Sequence, residues 1–310
     1  MPVVLDTDPG IDDALALLYL LALDRFDLKA VTVVAGNVPL STGLANARGL
    51  LELVGLQREV PVYAGCPQPL LRPLRSAEHF HGPGGLGFGR VTLPEPTVPV
   101  RDEHAVWAVH RLSREYTGEL TIIAVGPLTN VAAALVLDPD LARWARLVFM
   151  GGAAGVPGNV TPAAEFNIHV DPEAARRVVE SGMPYTMVGL DVTDRTRLGP
   201  SQLAELEGPG PVPAVITGLL RDYLEAYRRL GREAEAGCAL HDPLAVGVAA
   251  DPEFVRLERG RVEVVTDGQE AGRTLFFPEG PDQAAGQVAV ELGAKDFVGH
   301  FVDTLRARYG

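Results

Sequence analysis

Residues 3–23 read VVLDTDPGIDDALALLYLLAL. Val3–Asp8 is a β-branched run suited to a buried strand, and Asp12–Leu23 is a continuous apolar helix. Pro9-Gly10 turns the chain between them, so the stretch opens as β–turn–α. The rhythm continues downstream. Strands are expected at Leu28–Ala35, Val60–Ala64, Leu120–Val125, Leu147–Met150 and Tyr185–Leu190, with helices over Thr42–Val54 and Glu103–Tyr116. Such alternation predicts a parallel sheet wrapped by helices. Arg256–Thr266 and Arg273–Phe277 read as a late hairpin, and Ala294–Arg308 as a closing helix.

The chain has 310 residues, 47% of them hydrophobic, and a net charge of −13. That length suits an α/β fold with a full core. The negative charge argues against nucleic acid or an anionic membrane as the main partner, since both repel it. Cys66 and Cys238 are too few for a disulfide framework and read as buried thiols of a reducing compartment. MPVVLDTD has no basic leader region, and the apolar run Ala14–Leu23 is about half of the ~20 residues a membrane span needs. A cytoplasmic protein is expected. Two segments break the rhythm: the Pro- and Gly-rich residues 66–100, and EGPGPVP at 207–213 before an amphipathic helix over Ala214–Leu230. Each is either a mobile flap over a site or a solvated insertion. No linker divides residues 1–310, so one domain is expected, with candidate flaps near 76–90 and 214–237.

Asp6, Asp8, Asp12 and Asp13 crowd four carboxylates into the end of the first strand. Parallel sheets bind ligands at that edge. Like charges so placed need a cation or retained protons. Oxygen-only donors favour Ca²⁺ or Mg²⁺ over zinc. The plainer alternative makes Asp12 and Asp13 first-turn helix acids. Asp-Pro occurs at 8, 138, 171, 242 and 251, which an Asp N-cap before a first-turn Pro explains. His241-Asp242-Pro243 therefore gains weight only beside the first cluster. Met150-Gly151-Gly152, Gly158-Asn159 and Glu165-Phe166-Asn167 also follow a strand and offer partners for vicinal hydroxyls.

These segments together resemble the inosine–uridine preferring nucleoside hydrolase family. The likeness lies in DTDPGIDDA at the N-terminus, VVAGN ending at Asn37, His81-Gly82, VGPLTN at 125–130, MGG at 150–152, AEFN ending at Asn167, DPEAA at 171–175, TMVGLDVT at 186–193 and HDP at 241–243. It implies a single α/β domain with a mostly parallel, Rossmann-like open sheet, and a Ca²⁺-dependent hydrolase releasing ribose and free base from ribonucleosides. Asp8, Asp13, Asp242 and the Val125 carbonyl would ligate Ca²⁺; Val125 stands where some relatives have Thr. Asp8 would act as general base and His241 as the leaving-group acid. Asp12, Asn37 and Asn159 would fix the ribose hydroxyls, while Glu165 and Asn167 face the sugar and His81 closes over it. Met150 and Phe166 belong to the same substrate-binding segments. Tyr223 and Tyr227, at i and i+4, share a helix face. They are either core residues or base contacts like those of broadly specific relatives, which inclines the expectation to purine and pyrimidine nucleosides. A pyrimidine-preferring member and a non-catalytic nucleoside or ribose binder are the alternatives. Phosphoryl transfer from Asp6-Thr7-Asp8 lacks a convincing later lysine, Lys29 and Lys295 being the only two. Homodimers or homotetramers are expected by resemblance.

Overall fold

The computed structural model describes residues 1–229, 231, 237–279 and 286–310. Among the described residues are eleven strands: β1 (Pro2–Thr7), β2 (Asp27–Val33), β3 (Val62–Ala64), β4 (Leu120–Ala124), β5 (Ala145–Met150), β6 (Tyr185–Val188), β7 (Arg197–Leu198), β8 (Cys238–Ala239), β9 (Val255–Val264), β10 (Thr274–Pro278) and β11 (Gly286–Leu292). Nine form one sheet in the order β10-β9-β11-β6-β5-β4-β1-β2-β3, and β7 pairs with β8 apart from it. Every pair from β11-β6 to β2-β3 is parallel. Period-two alternation divides the core: Val3 and Leu5 join the apolar cluster on one face, Val4 and Ile122 that on the other.

The expected hairpin exists, with β9 and β10 antiparallel. The sequence reading missed β11, which pairs parallel with β6 and antiparallel with β9 and so carries the hairpin onto the sheet. Its alternation QVAVEL is short and follows a Gly- and Pro-rich stretch. Tyr185–Leu190 is also shorter as a strand than expected. Gly189 ends it and caps a single helical turn, Leu190–Thr193. The amphipathic helix runs Pro211–Arg229, and the closing helix Phe297–Tyr309 starts at the Asp296 N-cap. The candidate flap at 214–237 falls partly outside the described residues, at 230 and 232–236.

Asp-Pro pairs divide by role. Asp171 and Asp251 are N-caps, each with Pro at the first helical position. Asp8 leaves a strand, Asp138 ends a helix, and Asp242 lies inside the first turn of His241–Ala250. The two cysteines are unpaired, Cys238 buried and Cys66 half-buried. Among the described residues no helix is long and apolar enough to cross a membrane.

Candidate active site

Chain reversal of strand order between β1 and β4 opens a crevice at their carboxyl ends, the usual ligand position of such sheets. β1 delivers Asp8, β4 leads into Val125, and β5 ends at Met150. A cavity of about 390 Å³ lies above them, lined by Asp12, Asn37, Val125, Met150, Asn159, Glu165, Phe166, Asn167, His241 and Asp242, and by Tyr223, Tyr227 and His81.

Asp13 serves the fold and the site at once. Its Oδ1 accepts from the Thr7 hydroxyl at 2.6 Å and the Asp8 amide at 3.1 Å; its Oδ2 accepts from the Gly10 amide and Asn37 Nδ2, both at 2.9 Å. The helix-cap reading of this acid therefore holds alongside any ligand role. Asp8 Oδ2 accepts from the Asn37 amide at 2.5 Å, whereas Oδ1 is buried without a partner. A Cβ added at Gly36 would lie 2.0 Å from Oδ2 and one at Gly126 2.5 Å from Oδ1, so glycines here make room for the carboxylate. Burial and the Asp13 charge push the Asp8 carboxyl well above the usual range. Asp12 Oδ2 accepts from Tyr223 Oη at 3.1 Å, and its buried Oδ1 has no partner. Burial, then Asp13, raises Asp12 to about 6. Asp242 is likewise pushed well up by burial and by Asp12, Asp13 and Asp8.

Asp12, Asp13 and Asp242 each bring one oxygen to within 4.8 Å of the others. Asp8 stands beside this set. The Val125 carbonyl accepts from Asn167 Nδ2 at 2.8 Å, which leaves its second lone pair. Among the described residues no cationic side chain shares the cage's hydrogen bonds, and two carboxylate oxygens there, Asp8 Oδ1 and Asp12 Oδ1, are orphaned. Hard oxygen donors with surplus negative charge fit a divalent cation of the Ca²⁺ or Mg²⁺ type.

Glu165 caps the helix Phe166–Val170, accepting from the Asn167, Ile168 and Gly152 amides at 2.8, 3.1 and 2.9 Å. Burial nevertheless lifts it to about 7. Asn159 Oδ1 accepts from the Phe166 amide at 2.9 Å, closing the loop that bears both residues. His241 Nδ1 lies 2.8 Å from Thr193 Oγ1 and Nε2 lies 3.0 Å from Tyr227 Oη. His81 Nδ1 accepts from the Ile11 amide at 3.2 Å, so its proton sits on Nε2. Burial lowers His81 to about 4; it is neutral at working pH, and its 3.9 Å approach to Asp12 is no ion pair.

All the sequence-predicted residues except Asp8 and Asp13 line this one cavity, and the core reading of the tyrosines holds. Tyr223 and Tyr227 are 0% and 2% exposed within the core, yet line the cavity. Sequence reasoning missed Phe80, whose ring meets Tyr223 and Tyr227 edge-on, each at 5.7 Å. It also missed Thr193, which holds His241, and Arg75, His79 and His169 at the cavity wall. Phe80 adjoins the flagged His81, and Thr193 ends the motif TMVGLDVT; these are the local signals available.

The family profile for inosine-uridine preferring nucleoside hydrolases matches residues 3–299. The chain belongs to that family. The pyrimidine-specific ribonucleoside hydrolase RihA of Klebsiella pneumoniae is 41% identical over 87% of this chain and 86% of its own length. The enzyme of that name in Escherichia coli O8 is 38% identical over 99% and 98%. Among solved structures, the purine-preferring ribonucleoside hydrolase from Gardnerella vaginalis superposes with a TM-score of 0.92 at 32% identity, covering 99% of this chain and 98% of that one. The relatives are N-glycosyl hydrolases, and this nucleoside hydrolase shares their fold throughout.

Proposed function

We propose that this family member hydrolyses purine and pyrimidine ribonucleosides to ribose and free base, as a single-domain enzyme requiring Ca²⁺. The observation that carries the reading is a buried oxygen-only carboxylate cage adjoining an aromatic cluster at one cavity. Asp8, Asp13, Asp242 and the Val125 carbonyl would hold the ion, which when bound orients and polarises water and the ribose diol. Asp8 Oδ1, buried without a partner, takes the proton of the attacking water. Asp12, Asn37 and Asn159 bind ribose hydroxyls, and Glu165 and Asn167 face the ring as positive charge grows on it. Met150 and Phe166 wall the sugar. His241 donates a proton to the departing base, replenished across the Tyr227 hydroxyl 3.0 Å away. Neutral His81 closes over the site as a hydrogen-bond donor, on the flap near 76–90. A homodimer or homotetramer is the assembly that resemblance to the family supports.

A pyrimidine-preferring enzyme is the second reading, favoured by the Klebsiella relative. The hydroxyl–imidazole pair on the base side supports the broader one. Reducing-sugar release from inosine, adenosine, uridine and cytidine, with chelator and after Ca²⁺ is restored, separates them. The expected result is release from both base classes, lost with chelator and regained with Ca²⁺. Release from uridine and cytidine alone establishes the second reading. Release indifferent to chelation removes the metal, and none from any nucleoside removes the hydrolase reading.

A further inference from the structure

Asp222 is a carboxylate 2% exposed on the helix Pro211–Arg229, yet no step proposed above uses it. Its Oδ2 accepts from the Phe88 amide at 2.8 Å and its Oδ1 pairs with Arg90 Nε at 2.7 Å. Both partners belong to the glycine-rich segment after His81. Gly87, at φ +94°, packs so tightly that an added Cβ would lie 2.2 Å from Asp222 Oδ2. The Gly87 amide donates to the His81 carbonyl at 2.8 Å, and Gly82 lies against the Gly87 carbonyl. Arg229, one helical stretch on, sits over the Phe88 ring at 4.3 Å.

We propose that Asp222 is a positioning residue: it latches residues 82–90 onto the helix of Tyr223 and Tyr227 and thereby holds His81 and Phe80 against the substrate cavity. The inference rests on the functional reading above. A backbone amide and a guanidinium converge on one buried carboxylate. Charge-assisted hydrogen bonds of this kind are the strong ones. From Phe88 the connection to His81 is only the short Gly87–His81 turn. His81 is then fixed by the Ile11 amide and Phe80 by the two tyrosine rings. Without the latch, the competent loop position is one of several, and apparent affinity falls with its population. Chemistry at the carboxylate cage, on other elements, is left alone.

The test measures kcat and KM for the preferred nucleoside, with amide hydrogen exchange over residues 80–92, in wild type, Asp222→Ala and Asp222→Asn. Asp222→Ala is expected to raise KM about tenfold with kcat falling less than about threefold. Exchange at the Phe88 amide accelerates without substrate present. Asp222→Asn, which keeps an acceptor for that amide, falls between the two. Gly87→Ala, whose added methyl displaces the loop while Asp222 stays, gives the same pattern if Asp222→Ala fails to fold. Faster exchange with unchanged KM and kcat would reduce the contact to a structural one and overturn the proposal, as would unchanged exchange. Absence of activity in wild type would end the functional reading instead, while exchange still reports whether the latch exists.

Discussion

The floor and the roof of the cavity are built by different physics. The floor, from Asp6 to Asp13 with Asn37 and Val125, grows out of adjacent parallel strands and is buried almost completely. Its acids are fixed by backbone amides and by each other, in a place where like charges raise one another's pKa. The roof, residues 76–90 and the helix Pro211–Arg229, meets the site through side chains from distant segments: Tyr223 on Asp12, Tyr227 on His241, Asp222 on Phe88. A floor of this kind sets which reaction occurs; a roof of this kind sets what is admitted and how tightly.

The largest effect that would break this division is at Asp8. Asp8→Asn keeps the shape and the acceptor for the Asn37 amide but removes the proposed base. We expect kcat to fall about 10³-fold for every nucleoside, within the range that general-base loss produces, with KM changing far less. Stability of the metal-free variant should equal or exceed that of wild type at neutral pH, because one of the mutually repelling carboxylates is gone. Turnover retained within tenfold, or a base-dependent loss, would assign the proton to another group.

Legibility in the sequence follows the same line. The floor is local: Asp6 through Asp13 lie in eight consecutive residues, so their convergence needs only one strand, one turn and one helix start. Glu165 and Asn167 were legible for the same reason. Two of the roof contacts join residues more than a hundred positions apart, Asp12 with Tyr223 and Phe88 with Asp222, and no periodicity encodes them. Leu190 was taken into the strand Tyr185–Leu190 because Gly189 was not read as a helix start. β11 escaped because its role depends on lying between β6 and β9, a tertiary relation.

A smaller effect sharpens the roof's part. Tyr227→Phe leaves the ring packing against Phe80 and Tyr223 and removes only the hydroxyl bonded to His241 Nε2. A kcat decrease of about tenfold is expected, unequal between inosine and uridine, since the proton demand of the leaving base differs while the sugar chemistry does not. Equal losses for both bases would place the hydroxyl's influence on the sugar side and blur the division.

The smallest effect concerns stability, and it tests whether the floor is strained without its cation. Burial raises Asp6 from 3.8 to about 6 and Glu165 from 4.5 to about 7. In both, the folded chain holds a proton that the unfolded chain releases. Their contribution to stability is therefore present in full below the unfolded values and is lost as pH rises through about 6 to 7. Chelated protein should melt lower at about pH 8 than at about pH 5, by roughly 5 °C given the few degrees that each kcal/mol moves a chain of this size. Ca²⁺ should act in the opposite sense. It binds ionised carboxylates and competes with their protons, so its stabilisation grows as Asp8 and Asp242 ionise. Calorimetry at the two pH values, with chelator and with Ca²⁺, reads both trends together. A melting temperature that stays level or climbs in chelator would mean that the buried acids ionise without cost, and the floor would then be no more strained than the roof.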